Sequence, residues 1–168
     1  MLDDPVAYLD NACVTLKPQS VIDSIQDYYI NTPGCGGRSV HRYGTHVSKS
    51  ISQSRKKLAH FFSAPSVNEI VFTRNATHSL NQIAKGLEWN KGDVVLTTDR
   101  EHNSNLVPWL QLEQEQGIDH RVVRSNQDNT FNLESFEEAC AEAGTKLKMV
   151  SMSHVGNLDG VETPVKEI

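Results

Sequence analysis

A chain of 168 residues, 38% of them hydrophobic, is long enough to bury the core of one globular domain. Its 16 lysines and arginines stand against 21 aspartates and glutamates, and the formal charge of −5 argues against a general nucleic-acid binder, which would present a basic face. The sequence has no apolar run near the roughly 20 residues that cross a bilayer. Its first five residues lack the basic start and apolar stretch of a signal peptide. We therefore expect a soluble, cytoplasmic protein without membrane or nucleic-acid partners.

Three cysteines, Cys13, Cys35 and Cys140, are odd in number and show no CxxC spacing. This pattern predicts neither a disulfide framework nor a zinc site, and we expect no metal. Each cysteine could be a catalytic thiol or a small half-buried residue. Glycines on both sides of Cys35 would leave that thiol accessible.

Residues 1–64 predict an N-terminal segment of one short strand, two helices and a glycine-rich loop. The strand covers residues 6–10, and Pro18 opens the first helix. A basic, glycine-rich loop over residues 36–44 precedes a second helix at 47–62. The first helix has apolar residues at helical spacing on one face: Val21, Ile22, Ile25, Tyr28 and Tyr29.

Residues 65–168 predict a domain in which strands and helices alternate. The predicted strands are residues 70–73, 94–97, 121–123 and 147–152. The predicted helices are residues 77–87, 105–116 and 133–143, with one more beginning at Thr163 and Pro164. Short apolar strands alternating with helices are typical of an α/β fold, with a mainly parallel sheet and helices on both faces. Because Ile168 would fall inside the last helix, we expect the domain to continue beyond it.

Two polar stretches, residues 101–109 and 153–160, follow strand-like runs, and open α/β sheets bind ligands at the carboxyl ends of their strands. His102 could stack on a planar ring and transfer protons, or it could be a structural or solvated histidine. Asn157 could donate to a phenolate or a carboxylate. Alternatively, it is a turn residue before Asp159 and Gly160.

Two further positions are candidate binding sites. The helix that starts at Ala76 and Thr77 could bind phosphate, because its first N–H groups are unpaired and Thr77 adds a hydroxyl. Thr77 could instead only cap the helix, since no GxGxxG or Walker pattern is present. In the glycine-rich loop, His41 and Arg42 could bind a substrate carboxylate, or belong to a solvated loop.

Taken together, these motifs resemble the pyridoxal-phosphate enzymes of aminotransferase class V, which have fold type I. They most closely resemble the cysteine desulfurases of the SUF (group II) type. The matching positions run through nearly the whole chain in one order: residues 8–12 and 17–18, 40–42, 69–74, 76–77 and 81, 101–102, 105–109, 153–155, 157 and 160. Asn75 departs from the family's usual glycine, and His78 from its common glutamate.

The resemblance implies roles for the residues at the strand ends. The position of His102 stacks on the pyridine ring and relays protons, those of Ala76 and Thr77 bind the phosphate, and that of Asn157 contacts the cofactor's 3′ oxygen and the substrate. The loop that holds positions 41 and 42 borders the active site close to the dimer partner.

The resemblance also implies the reaction and the partners. The cofactor would be pyridoxal 5′-phosphate, and the substrate L-cysteine or a related amino acid. The products would be L-alanine and an enzyme persulfide, whose sulfur passes through an acceptor protein to iron–sulfur cluster or thiocofactor assembly. A homodimer is implied for the full-length enzyme.

In this family the Schiff-base lysine and the nucleophilic cysteine lie further along the chain than the position of Ile168. We therefore expect the first part of the large domain, inactive alone. The alternatives are another class V enzyme (a selenocysteine lyase, an aminotransferase or an epimerase) and a non-catalytic fragment or paralogue that acts as a binding module. The family topology predicts the strand order 147, 94, 121, with the strand at residue 70 lying apart.

Overall fold

The computed structural model describes residues 7–168, which divide into two compact units. One unit ends at Phe72, and the other is Thr73–Ile168. The predicted boundary between residues 64 and 65 stays a prediction. No helix within residues 7–168 is both long and apolar enough to cross a bilayer.

Residues 7–72 of the first unit contain two α-helices and a short 3-10 turn. Helix α1 is Gln19–Asn31, as Pro18 predicts, and helix α2 is Arg42–Phe61. Helix α2 begins earlier than the predicted residue 47, because the His41 side chain caps it: Nδ1 accepts a hydrogen bond from the Gly44 N–H at 3.4 Å. The 3-10 turn is Val67–Glu69.

The apolar face of α1 is not covered by other described residues. None of the helix's residues is buried, and Ile22 and Ile25 are 45% and 54% exposed. The helix is amphipathic, as its sequence predicts, but its apolar side chains do not pack into a hydrophobic core among the described residues.

Two predicted strands of the first 73 residues are wrong. Residues 7–10 form no strand, and Val6 lies outside the described residues. Residues 70–73 form no strand either, because a strand needs a ladder partner and no described segment pairs with them. Within the first unit, the Ile70 carbonyl accepts a bond from Arg55 Nε at 3.2 Å, and the Arg55 guanidinium lies 5.1 Å from the centre of the Phe72 ring.

The second unit is built on a parallel three-stranded sheet. Its strands are β1 (Val94–Thr98), β2 (Asp119–Val123) and β3 (Leu147–Val150), in the order β2-β1-β3. In the register, Val94 pairs with Asp119 on one side and Leu147 on the other. This is the order that the family topology predicts, so the prediction is confirmed.

Three helices accompany the sheet, close to their predicted bounds: α3 (Ala76–Gly86), α4 (Asn103–Gln116) and α5 (Leu133–Ala143). Side chains begin α3 and α5, where Asn75 Oδ1 accepts from the His78 N–H and Asn132 Oδ1 from the Ser135 N–H. Gly117 ends α4 in the left-handed conformation, at φ 71°. The helix predicted at Thr163 is wrong: the residues after it form a turn.

The core lies on both faces of β1, whose five residues are all buried. Side chains alternate along a strand, so Val95 faces one side and its neighbours the other. One cluster joins β1 to α3 and α4: Ala84, Val95, Trp109, Leu112 and Ile118. The other joins β1 and β2 to α5: Val94, Leu96, Val123, Phe136 and Ala143. Helices therefore cover both faces, as predicted.

Candidate functional site

The segments that follow β1 and β3 meet at the carboxyl edge of the sheet. Both strands are parallel, so their carboxyl ends lie side by side, and the Ser151 N–H donates to the Leu96 carbonyl at 2.9 Å. This is the edge where α/β sheets place ligand sites. It carries Glu101 and His102 after β1, and Ser153 after β3.

The Glu101 carboxylate joins three parts of this edge. Its Oε1 accepts from Thr98 Oγ1 at 2.8 Å, at the end of β1. Its Oε2 accepts from Asn105 Nδ2 at 2.7 Å, in the first turn of α4. Ser153, after β3, donates its N–H to Oε1 at 3.0 Å and its hydroxyl to Oε2 at 2.9 Å. We call Thr98, Glu101, Asn105, Ser151 and Ser153 the Glu101 cluster.

Asn105 connects the Glu101 cluster to the hydrophobic core. Its side chain is buried, and Nδ2 also donates to the Ser151 carbonyl at 3.1 Å. Its Oδ1 accepts from Ser151 Oγ at 2.5 Å and from Nε1 of the fully buried Trp109 at 3.2 Å. The buried amide is thus fully hydrogen-bonded, which fixes the start of α4 against the sheet.

His102 is the N-cap of α4, and its ring is exposed. Nδ1 accepts from the Ser104 N–H at 3.1 Å and lies 2.9 Å from Ser104 Oγ. A nitrogen that accepts from a backbone N–H carries no proton of its own, so the neutral ring carries its proton on Nε2. The cap therefore sets the tautomer and leaves Nε2 for other partners.

Asn157 is exposed at the tip of a loop formed by residues 153–163, which we call the Asn157 loop. Val155 and Glu162 form an antiparallel bridge across it, and Thr163 closes its base with bonds to the carbonyls of Ser153 and His154 at 2.8 and 2.7 Å. These two bonds hold residue 163 in the loop, and residues 165–167 after it form a turn.

The Asn157 loop also contacts the segment after β1. Asn157 and Asp159 line one cleft together with Arg100 and Glu101. Arg100 forms an ion pair with Asp159, and its Nη1 donates to Asn129 Oδ1 at 2.9 Å. Asn157 lies in a turn, as one interpretation of the sequence predicts, and it lines the cleft beside Glu101.

Ala76 and Thr77 are the first two residues of α3, and both are exposed. The cap of this helix is Asn75, not Thr77, so the Thr77 hydroxyl is not used to begin the helix. The first turn has no acidic residue. Asn75 accepts the His78 N–H, so the N–H groups of Ala76 and Thr77 and the partial positive charge remain at an exposed helix start that has no acidic residue.

His41 and Arg42 lie in the other unit, at the start of α2. His41 is the N-cap. Arg42 is the first residue of the helix, and it is exposed. The capping role of His41 was not predicted from the sequence, because serine, threonine, aspartate and asparagine are the usual caps.

His120 and Cys140 are two titratable groups of the second unit that lie outside the Glu101 cluster. Burial lowers the pKa of His120, whose Nε2 lies 2.9 Å from Thr97 Oγ1, and burial raises the pKa of the Cys140 thiol. A thiol with a raised pKa is a poor nucleophile. Within residues 7–168, no three His, Cys, Asp or Glu side chains converge on a metal site.

Comparison with known proteins places these features in a family. The model for "Aminotransferase class-V" matches residues 7–168. A probable cysteine desulfurase of Synechocystis is 35% identical over 98% of this chain, and one of Pyrococcus abyssi is 35% identical over 99%. The chain spans 39% and 41% of these two relatives' own lengths.

Solved structures agree. The apo cysteine desulfurase of Thermococcus onnurineus superimposes with a TM-score of 0.84 at 32% identity, covering 94% of this chain and 39% of that one. The cysteine desulfurase CsdA of Escherichia coli superimposes with a TM-score of 0.79 at 26% identity, covering 95% and 40%.

Proposed function

We propose, from the premise that this chain belongs to the aminotransferase class-V family, that it forms the N-terminal portion of a pyridoxal-phosphate-dependent L-cysteine desulfurase. The observation that carries the proposal is the carboxyl edge of the sheet. His102 and the Asn157 loop, the two segments that the resemblance assigns to the cofactor, both adjoin Glu101 there. Relatives and solved structures that bear the name cysteine desulfurase support the choice within the family.

The residues present fit this cofactor. A phosphate dianion suits the start of α3, which has no acidic residue in its first turn and exposes the Thr77 side chain next to Ala76. A flat aromatic ring suits the exposed imidazole of His102. A phenolic oxygen suits the exposed amide of Asn157, which can donate to it.

When bound, pyridoxal phosphate supplies the electron sink for chemistry at the substrate's Cα. The chain's own residues would position the cofactor and the substrate, and one of them would supply a proton. Ala76 and Thr77 would hold the phosphate, Asn157 would donate to the 3′ oxygen and border the substrate, and His102 would hold a transferable proton on Nε2 while Nδ1 remains in the α4 cap. General acid–base help of this kind contributes about 10² to 10⁴ in rate.

The proposed reaction converts L-cysteine to L-alanine. The carbon–sulfur bond breaks, and the sulfur bonds to an enzyme thiolate as a persulfide. An acceptor protein then takes the sulfur toward iron–sulfur cluster or thiocofactor assembly. We assign neither the thiolate nor the cofactor's lysine to this chain, because the family carries both beyond the position of Ile168. His41 and Arg42 are proposed to border the substrate in a cytoplasmic homodimer.

The test is made on the protein encoded by the full reading frame. Loaded with pyridoxal phosphate and supplied with L-cysteine and a dithiol, it should release alanine and sulfide in equal amounts. Turnover of selenocysteine alone would reassign it to selenocysteine lyase. No amino-acid turnover together with no cofactor absorbance would favour a binding module.

Residues 1–168 expressed alone serve as the matched comparison. They should show no turnover, and borohydride treatment with pyridoxal phosphate should label no single lysine stoichiometrically. Lys49, Lys56 and Lys57 lie on α2 in the first unit, and Lys85 lies near the end of α3, at the opposite end of that helix from Ala76 and Thr77. One site-specific adduct would contradict the assignment.

A further inference from the structure

Glu101 is the side chain at which the two predicted cofactor-contacting segments are joined. It directly precedes His102, and it accepts both side-chain and backbone bonds from Ser153, the first residue of the Asn157 loop. Neither the sequence pattern nor the family resemblance predicts a role for it. Its carboxylate is engaged entirely by protein donors in the Glu101 cluster and has no direct contact with the positions assigned to the phosphate.

The first half of the connection runs to His102. Asn105 Nδ2 donates to Glu101 Oε2, and Asn105 Oδ1 accepts from Trp109 in the core. The first turn of α4 is thereby fixed, and this turn supplies the Ser104 N–H that holds His102 Nδ1. The orientation of the imidazole therefore depends on a helix start that Glu101 secures.

The second half runs to Asn157. Ser153 is bound to Glu101 through its N–H at 3.0 Å and its hydroxyl at 2.9 Å. The Ser153 carbonyl accepts the Thr163 hydroxyl, so both ends of the Asn157 loop are fixed at the same point. The carboxylate thus sets the position of the loop relative to His102.

Only a carboxylate suits this position. Both of its oxygens accept: Oε1 from Thr98 Oγ1 and the Ser153 N–H, Oε2 from Asn105 Nδ2 and Ser153 Oγ. An ionised carboxylate is acceptor-only, whereas the glutamine amide has one NH₂ group. In either amide orientation that NH₂ would face a donor, so Glu101→Gln removes acceptor capacity at nearly constant shape.

We propose that Glu101 is a positioning residue that holds His102 and the Asn157 loop in one fixed arrangement for the cofactor. The proposal rests on the proposed function, because it concerns the same site. It assigns to Glu101 no contact with the cofactor or the substrate.

The test measures cofactor affinity in the apo form of the full-length protein. Apo protein is titrated with pyridoxal phosphate, and the dissociation constant is read from the visible absorbance. Glu101→Gln should weaken binding by about 10-fold, the lower end of the effect of losing one hydrogen bond to a charged group. Glu115→Gln, at an exposed carboxylate of α4 that pairs with Gln111, should leave the dissociation constant unchanged.

Two further variants separate positioning from general destabilisation. Leu112→Ala removes a buried core side chain of the same helix, so it should lower the melting temperature while the folded protein keeps its cofactor affinity. Ser153→Ala removes one donor to Glu101, so it should weaken cofactor binding in the same direction by a smaller factor. It also serves as the test if Glu101→Gln does not fold.

A double-mutant cycle gives the sharpest readout. If Glu101 acts through His102, Glu101→Gln should weaken binding less in a His102→Asn background than in the wild type. Equal dissociation constants for wild type and Glu101→Gln, or an equal loss for Leu112→Ala, would overturn the positioning role. Absence of cofactor binding by the wild type would instead refute the proposed function.

Discussion

His102 combines a cap and a candidate proton carrier in one ring. Nδ1 begins α4 by accepting from the Ser104 N–H, and only Nε2 remains for chemistry. Asparagine is as good a cap as any residue but cannot transfer a proton in this way. The two roles can therefore be separated by substitution.

We predict that His102→Asn in the full-length protein keeps the melting temperature and loses turnover by about 10² to 10⁴. His102→Ala should lose the same turnover and, in addition, about 0.5 to 2 kcal/mol of unfolding free energy, because it removes the cap. Steady-state alanine formation and chemical denaturation measure the two effects. Near-normal turnover in His102→Asn would refute the assigned role.

His120 makes stability depend on pH. Burial lowers its pKa below the ordinary value of 6.5, against the opposing charges of Glu113 and Asp119, and Thr97 Oγ1 lies 2.9 Å from Nε2. The unfolded chain takes up a proton as pH falls below about 6.5, while the folded chain resists it. The contribution is therefore complete above that pH and declines below it.

We predict that His120→Gln in the full-length protein makes the loss of unfolding free energy between about pH 7.5 and 5.5 shallower. The amide can keep the bond to Thr97 without titrating. His154→Gln is the control, because the His154 side chain is 58% exposed and pairs only with the exposed Glu162. Denaturation series at each pH give the slopes. Parallel slopes for wild type and His120→Gln would contradict the prediction.

At the scale of elements, α4 links the core to the candidate site. Its inner face carries Trp109 and Leu112 against β1, and its first turn carries Asn105 in the Glu101 cluster. Leu112 is 3% exposed and Leu110 is 39% exposed on the same helix. Because both residues are leucines, comparing their alanine variants measures what burial contributes to the unfolding free energy.

We predict that Leu112→Ala in the full-length protein costs about 2 to 5 kcal/mol of unfolding free energy, from lost burial and the cavity left behind. Leu110→Ala should change it by no more than about 0.5 kcal/mol, as is usual at surface positions. Urea denaturation of both variants is the measurement. Equal losses would mean that the two faces of α4 are equally packed, against the structure.

Sequence patterns predicted the elements whose signals are local. Helix α5 has the predicted bounds because Asn132 caps it, and β1 is an apolar run buried on both faces. Residues 70–73 read as a strand by the same criterion and are not one, since a strand depends on a neighbour that composition does not specify.

The candidate site was predictable only in part, because some of its residues follow from local patterns and others from contacts made in the folded chain. His102 and Asn157 could be expected at strand ends, and the order of the strands followed from the family resemblance. Glu101 was missed, although it lies in the same polar stretch as His102. Its role depends on donors from residues 98, 105 and 153, and their convergence is a property of the folded sheet.

At the scale of the whole molecule, the described residues leave apolar and hydrogen-bonding surface open. Strands β2 and β3 each have one edge without a ladder partner among residues 7–168. Helix α1 exposes an apolar face that includes Val21 and Ile25. Open edges and contiguous apolar surface both promote association between chains.

We predict that residues 1–168 expressed alone associate in a concentration-dependent way, and that the double substitution Val21→Glu and Ile25→Glu reduces this association. The two side chains are 42% and 54% exposed, so the charges would be solvated on the exposed α1 face without disturbing a core. Gln19→Glu and Gln26→Glu together are the matched control. They add the same two negative charges to the same helix at exposed polar positions, and they should leave association unchanged. Sedimentation velocity over a range of concentrations measures the effect.

A monomeric wild-type chain at all concentrations would contradict the prediction. Equal association of the glutamate variant and the wild type would show that the open edges of the sheet, not the face of α1, bring the chains together.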